Sequence, residues 1–211
     1  MTQSTLKLKL SVFMFLQYFI WGAWYASMGA YLATLKFEGG QIGAAYGAFA
    51  IGSMISPFFV GLIADRFFAS EKLLAVLGVL GGAVLCLLPK LTVFSSFYPM
   101  LIAYCALFTP TLALGNSLSL THLEDAKTGF PRVKLFSAVG WIAGGVTLSL
   151  MKGETSPVQF YLAGAVSIAF APTFLRLPAV TPVASAFWLF ALAPPLLWLC
   201  ALASRDPPRS R

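Results

Sequence analysis

Three residues in the second half of the chain carry side chains suited to binding a small molecule. Lys134, Ala138 and Trp141 are spaced four and three residues apart, which places them on one face of an α-helix. An ammonium group at one end of this face and an indole plane further along it could both contact a ligand in a cavity. The alternative is that Lys134 only anchors the helix at a membrane interface and that Trp141 only packs against lipid.

A second group of candidates lies near the start of the chain. Gln17, Trp21 and Trp24 recur at spacings of four and three residues and form a stripe on one predicted helix. A glutamine within a membrane span needs a hydrogen-bonding partner, which is either another helix or a substrate in a wet cavity. Asn116 presents the same two alternatives. Gln17, Trp21, Trp24 and Asn116 are therefore candidate substrate-binding residues, in addition to Lys134, Ala138 and Trp141.

Residues that bind metals or act as nucleophiles are sparse. The three cysteines lie singly within apolar runs, and the one histidine lies beside two acids near a predicted membrane surface. No cluster of His, Cys or acidic residues falls at predicted membrane depth. The sequence therefore predicts a protein that is not an enzyme and that holds no cofactor or metal.

The composition indicates which elements carry these side chains. Hydrophobic residues make up 59% of the 211 residues, charged residues 10%, and the mean hydropathy is +0.84. A soluble domain of this length could not bury so much apolar surface in one core. The net charge of +7 is explained by basic residues in cytoplasmic loops, and no nucleic-acid partner is expected. The chain is therefore predicted to be an all-α, multi-span membrane protein in contact with lipid.

Charged residues divide the sequence into six apolar intervals, each able to hold one helix at about 20 residues per crossing. The predicted spans are residues 10–34, 41–64, 73–89, 97–121, 134–151 and 157–175, within a domain of residues 1–176. With the N-terminus inside, basic residues on the inner side outnumber those on the outer side. The inner ones are Lys7, Lys9, Arg66, Lys72, Lys127, Arg132, Lys134 and Arg176, and the outer ones are Lys36, Lys90 and Lys152. This bias predicts a cytoplasmic N-terminus and cytoplasmic loops at Asp65 and at Lys127 to Lys134.

Two pairs of glycines lie where predicted helices must touch. Gly43 and Gly47 in the second span, and Gly140 and Gly144 in the fifth, are each separated by three residues. This spacing allows close approach of helix backbones within a bilayer.

The remaining residues, 177–211, form a proline-rich tail with a basic end. The run 184–203 is long enough to cross a membrane, yet Pro194 and Pro195 at its centre would break a helix. It is either a seventh span or an interfacial or irregular tail.

The loop between the second and third spans reads GLIADRFFASEK, from Gly61 to Lys72. A glycine, an aspartate four residues later and neighbouring basic residues resemble the corresponding loop of the major facilitator superfamily. This resemblance implies that the six spans form the N-terminal half of that fold, and that Gly61, Asp65 and Arg66 belong to its inner, conformational gate.

Four further stretches occur in order along the chain. They are LQYFIWGAW from Leu16, FEGGQIG from Phe37, PTLALGN from Pro110, and FPRVK from Phe130 leading to GWI at Gly140. Together they resemble the nucleoside:proton symporter family, the NupG-like nucleoside permeases, from about residue 6 to residue 182. The resemblance implies transport of nucleosides across the cell (inner) membrane by alternating access, with proton coupling.

The same family commonly has an arginine, a threonine and an aromatic residue where this chain has Lys134, Ala138 and Trp141. The resemblance implies that these positions contact the substrate, and the two departures bear on which nucleoside is bound. No acidic residue lies in the middle of a predicted span, so a titrating carboxylate is expected in a partner, the absent C-terminal half. With the likeness expected to stop near Pro182, we predict a truncated or frameshifted half-transporter. The alternative is a non-transporting truncated product or a six-helix accessory subunit.

Overall fold

The computed structural model of the chain describes residues 3–64 and 70–174, with side chains described for residues 3–56 and 72–172. This part of the chain is helical. Its α-helices are α1 (Gln3–Gly22), α2 (Met28–Thr34), α3 (Gly39–Ala64), α4 (Ser70–Leu87), α5 (Phe94–His122), α6 (Ala126–Leu150) and α7 (Val158–Phe174), and a 3-10 turn (Leu88–Lys90) follows α4. The predicted gate residues Asp65 and Arg66, and the predicted tail with its span 184–203, lie outside the described residues.

Among the described residues, three helical segments are long and apolar enough to cross a membrane. They are Lys72–Lys90, Phe94–His122 and Ala126–Leu150, and the apolar segment Val158–Pro172 of α7 is shorter. The helices α3, α4, α5 and α7 begin and end within three residues of the corresponding predicted spans. Charge spacing therefore located these four helices well.

The first predicted span, residues 10–34, is not one helix. α1 begins at Gln3 and ends at Gly22, and a turn of residues 23–27 precedes α2. In this turn the amide of Trp24 bonds to the carbonyl of Trp21 at 3.4 Å, three residues back. The Trp24 side chain is fully buried against Tyr104 and Phe160. Tertiary packing of one large side chain accompanies a break that hydropathy alone did not reveal.

The segment predicted to be a loop, from Lys127 to Lys134, is helical instead, since α6 already begins at Ala126; its cytoplasmic position stays a prediction. Asp125 caps the helix: its carboxylate accepts from the backbone amides of Lys127 at 3.1 Å and Thr128 at 3.4 Å, and from the Thr128 hydroxyl at 2.6 Å. These bonds satisfy donors that a helix start leaves free. Basic residues expected in a loop therefore lie on the first turns of a helix.

The helices pack mainly in pairs: α1 on α6, α4 on α7, and α3 on α5. At the first pair, a Cβ on Gly140 would overlap the backbone carbonyl of Phe15, and one on Gly144 would overlap that of Phe19. The predicted close approach at Gly140 and Gly144 is therefore confirmed.

The other predicted glycine contact is not found among the described residues. A Cβ added to Gly43 or to Gly47 would meet no atom within 4 Å, and both glycines are exposed on α3. The close approach of α3 to α5 instead occurs at Gly52, where a Cβ would meet the backbone of Cys105 at 2.7 Å.

Candidate functional site

The side chain of Lys134 reaches from α6 to residues on two other helices. Its Nζ donates a hydrogen bond of 2.6 Å to the Tyr18 hydroxyl on α1 and one of 3.0 Å to the Asn116 Oδ1 on α5. The same Nζ lies 4.4 Å from the centroid of the Tyr18 ring, within the range of a cation–π interaction. Three helices thus converge on one ammonium group, and both of its hydrogen-bond acceptors are uncharged.

An aromatic cluster adjoins this ammonium group. We define it as Tyr18, Trp21, Tyr25, Phe49 and Trp141, all of which are half-buried. The Trp21 and Trp141 rings meet edge to face, with centroids 4.7 Å apart, and Trp21 stacks on Phe49 at 4.8 Å with an interplanar angle of 9°. Tyr18 and Trp21 rings are 5.8 Å apart. The cluster therefore connects the Lys134 ammonium to the indole of Trp141 through side chains of α1.

The cluster also holds an unused hydrogen-bond donor. The Nε1 of Trp21 is buried and has no hydrogen-bond partner among the described residues. Most buried polar groups in proteins are paired. This indole N–H and the Lys134 ammonium are both donors, and both lie beside flat aromatic surfaces.

Ala138 lies on α6 between Lys134 and Trp141 and is exposed. Its methyl group leaves this part of the helix face uncovered. The three residues predicted to share a face are therefore found together, on a face whose ends are occupied by an ammonium and an indole.

Gln17 and Trp24 are placed differently. Gln17 is 3% exposed and its amide nitrogen donates to the hydroxyl of Thr111 on α5. Trp24 is 0% exposed, and its ring centroid is 5.3 Å from that of Tyr104. Both residues pack among helices of this chain, which is the alternative weighed for Gln17 from the sequence. That they contact substrate stays a prediction.

Sequence reasoning placed Tyr25 near Gln17, Trp21 and Trp24 but missed Tyr18, although a signal was present. Tyr18, Trp21 and Tyr25 recur at spacings of three and four residues, which is an aromatic helix face as regular as the stripe that was chosen. Phe49 gave no such signal, because its role depends on how α3 packs against α1. Gly61 lies within α3, but its surroundings fall outside the described side chains.

The candidate site is one of polar and aromatic contacts. Among the described residues there is no group of three or more His, Cys, Asp or Glu side chains that could hold a metal ion. The arrangement can supply hydrogen bonds from a cation and an indole, an amide on Asn116, and π surfaces for a planar ligand.

Comparison with known proteins agrees with these features. A family model described as "nucleoside H+ symporter" matches residues 4–203. The xanthosine permease of Escherichia coli (strain K12) is 33% identical over 185 residues, which cover 85% of this chain and 44% of that permease. The nucleoside permease NupG of the same strain is 29% identical over 191 residues, covering 87% of this chain and 46% of NupG.

A solved structure is similar as well. The crystal structure of the nucleoside transporter NupG matches with a TM-score of 0.79 and 27% identity, covering 92% of this chain and 53% of that chain. The chain thus spans about half the length of these relatives. Because the family match runs to residue 203, the prediction that the likeness stops near Pro182 is wrong.

Proposed function

The chain belongs to the nucleoside H+ symporter family, and on this premise we propose that it supplies one half of a nucleoside-binding carrier. The relatives named above are a xanthosine permease and a nucleoside permease, so the substrate class proposed for this chain is a nucleoside. A nucleoside presents a flat base and hydroxyl groups on its ribose. Binding it requires π surfaces together with hydrogen-bond donors and acceptors.

The observation that carries the proposal is the Lys134 ammonium held by uncharged acceptors beside Trp21 and Trp141. The base would lie against the aromatic cluster, which keeps partly exposed ring faces. Lys134 would donate to an oxygen of the substrate, and Asn116 and the Trp21 N–H would provide further polar contacts. Ala138 gives the ligand room between the two ends of the face. Gln17 holds α1 against α5 through Thr111, and Trp24 packs the turn after α1 against Tyr104.

The proposal extends to the transport cycle. The six predicted spans form the N-terminal half of a major facilitator fold in the inner membrane, and the substrate lies between this half and a C-terminal partner half. Gly61, Asp65 and Arg66 form part of the inner gate that opens and closes in alternating access. Support comes from the glycine contacts of α1 with α6, because helices packed so closely can move as one body.

Proton coupling is assigned to the partner half. The seven acidic residues of this chain all lie outside the predicted spans or near their ends. A carboxylate that takes up a proton during transport is expected in a cavity within the membrane. The proposal therefore places that group on the partner rather than on this chain.

The decisive test is the substitution Lys134→Gln, with Lys127→Gln as its control on the exposed start of the same helix. Each variant would be co-expressed with the C-terminal half of a related permease in a bacterial strain that lacks nucleoside carriers. Loss of the charged hydrogen bond in a partly desolvated site costs about 1.5–3 kcal/mol, or roughly a tenfold to hundredfold weaker binding. We expect that loss for Lys134→Gln in uridine uptake and binding, and little change for Lys127→Gln.

Equal nucleoside affinity in the wild type and in Lys134→Gln at matched expression would reduce Lys134 to an interfacial anchor. Background uptake by the wild type with every partner half tried would favour the other class of function, a non-transporting product or an accessory subunit. The two outcomes are separable because the first requires a working carrier.

A further inference from the structure

A small polar cavity lies between α1, α4, α5 and α7 and shares no residue with the aromatic cluster. Its volume is about 10 Å³. Four polar side chains line it, and each is 7% exposed or less: Gln17, Tyr104, Thr111 and Ser167. Gly81 also lines it, and the absence of a side chain there leaves the space open.

Most of these polar groups already have partners. The Gln17 amide nitrogen donates to the Thr111 hydroxyl, which in turn donates to the carbonyl of Phe108 at 2.5 Å. The Ser167 hydroxyl donates to the carbonyl of Gly78 at 2.8 Å. These bonds use the hydroxyl donors of Thr111 and Ser167 and one of the two N–H donors of Gln17, while the oxygen atoms of all three side chains can still accept.

The hydroxyl of Tyr104 is the exception. Tyr104 is 1% exposed. The indole N–H of Trp24 is directed at its hydroxyl oxygen, but an indole N–H can only donate, and the Tyr104 O–H has no acceptor among the described residues. A buried hydroxyl without a partner is unfavourable anywhere in a protein, and more so in a membrane-spanning helix. The ring of Tyr104 borders the cavity.

From this combination we propose that the cavity is a binding site for a single ordered water molecule. Its volume corresponds to about one water-sized probe, and a buried water needs two to four polar partners. The water accepts a hydrogen bond from the Tyr104 hydroxyl and donates to the carbonyl oxygen of Gln17. The Ser167 oxygen is a second acceptor. One water therefore bridges α5, α1 and α7 and completes the hydrogen bonding of Tyr104.

The site can be tested by X-ray hydroxyl-radical footprinting of the full chain in lipid nanodiscs, with mass spectrometry as the readout. Radicals formed from a bound water modify the side chain beside it even where bulk solvent does not reach. Phe97 and Phe160 are each 0% exposed and serve as internal controls. After correction for intrinsic reactivity, we expect Tyr104 to be modified several-fold faster than either phenylalanine.

A matched pair of variants tests the position of the water. A Cβ on Gly81 would lie 3.6 Å from the Tyr104 ring, and one on Gly129 would lie 3.5 Å from the Leu123 side chain, both ordinary contacts. Gly81→Ala should fill the cavity and abolish the excess modification of Tyr104, whereas Gly129→Ala should preserve it. The proposal is overturned if Tyr104 in the wild type reacts no faster than Phe97 and Phe160, or if Gly81→Ala retains the excess. The wild-type comparison stands even if a variant fails to fold.

Discussion

Tyr18 interacts with the Lys134 ammonium in two ways. Its hydroxyl accepts a hydrogen bond of 2.6 Å, and its ring centroid lies 4.4 Å from the same nitrogen. The first contact depends on the hydroxyl oxygen and the second on the π electrons, so substitutions can separate them. Because Lys134 is only half-buried, solvent weakens both contacts.

Replacing Tyr18 with phenylalanine should remove the hydrogen bond and keep the ring. We expect a loss of about 0.5–1.5 kcal/mol in the free energy of unfolding for Tyr18→Phe, and a further loss of about 0.5–1 kcal/mol for Tyr18→Leu. Thermal unfolding of the purified chain in detergent measures both. In a Lys134→Met background the effect of Tyr18→Phe should largely vanish, and a full effect there would mean that Tyr18 acts through something other than Lys134.

At the scale of single residues, sequence reasoning predicted part of the candidate site. The helical spacing of Lys134, Ala138 and Trp141 is a local property, so the shared face was predictable. Whether Gln17 points toward a ligand or toward Thr111 depends on how α1 is rotated against α5. That rotation follows from tertiary packing, for which the spacing of Gln17 and Trp21 contains no information.

Among the helices, the close contact of α1 with α6 depends on the absence of side chains at two positions of α6. Gly144 faces the backbone of Phe19 and Ala23, and Gly140 faces that of Phe15. Without a hydrophobic driving force between helices in lipid, this close packing contributes much of the attraction.

Gly144→Ala should therefore separate α1 from α6. Overpacking of a tight contact costs about 1–3 kcal/mol, so the melting temperature of the chain should fall. Gly47→Ala is the matched control, since a Cβ there meets nothing within 4 Å and a helical alanine is favoured over glycine by about 0.5–1 kcal/mol. Equal melting temperatures for the two variants would show that the α1–α6 contact tolerates a methyl group.

The start of α6 should respond to pH through Asp125. The Thr128 hydroxyl and its backbone amide bond to the carboxylate and lower the pKa of Asp125, with smaller contributions from the Lys127 amide and the Lys7 charge and an opposing one from desolvation. A lowered pKa in the folded state stabilises the fold above the ordinary pKa of aspartate, about 3.9. This stabilisation is lost as the pH falls through the lowered value.

Asp125→Asn should therefore reduce the pH dependence of unfolding in the acid range. An asparagine can still cap the helix, but it does not titrate. Thermal unfolding of the wild type and Asp125→Asn between about pH 6 and pH 3 should show melting temperatures that converge on acidification. Glu124→Gln, a neighbouring exposed position, controls for the general loss of carboxylate charge. A constant difference between wild type and Asp125→Asn across the range would refute the coupling.

For the helices themselves, charge spacing predicted the bounds of α3, α4, α5 and α7 to within three residues, because each of these helices is an apolar run between charged residues. It failed at residues 23–27 and at residue 126. In the first case a buried tryptophan accompanies a turn within an apolar run, and in the second a capping aspartate begins a helix within a charged run. Both features depend on individual hydrogen bonds and packing contacts, which hydropathy does not register.

Considered as a whole molecule, the chain has two ends that are predicted to differ in their number of basic residues. Lys7 lies close enough to Asp125 to lower its pKa, so the start of α1 and the connection between α5 and α6 lie at the same end. Lys36 follows the C-terminus of α2 and Lys152 follows that of α6, at the end predicted to face outward. Their φ angles are positive, 61° and 51°. Such residues end helices and place a positive charge near the negative end of the helix dipole.

Because basic residues are retained in the cytoplasm, we predict that the end with Lys7 and Asp125 faces inward and the end with Lys36, Lys90 and Lys152 faces outward. Single cysteines replacing Lys90 and Lys127, in a chain whose own cysteines are replaced by serine or alanine, can be treated with a membrane-impermeant thiol reagent. In intact cells the cysteine at position 90 should react and that at position 127 should not, whereas both should react after permeabilisation. Labelling of position 127 from outside would reverse the orientation and move the proposed inner gate at Asp65 and Arg66 to the opposite surface.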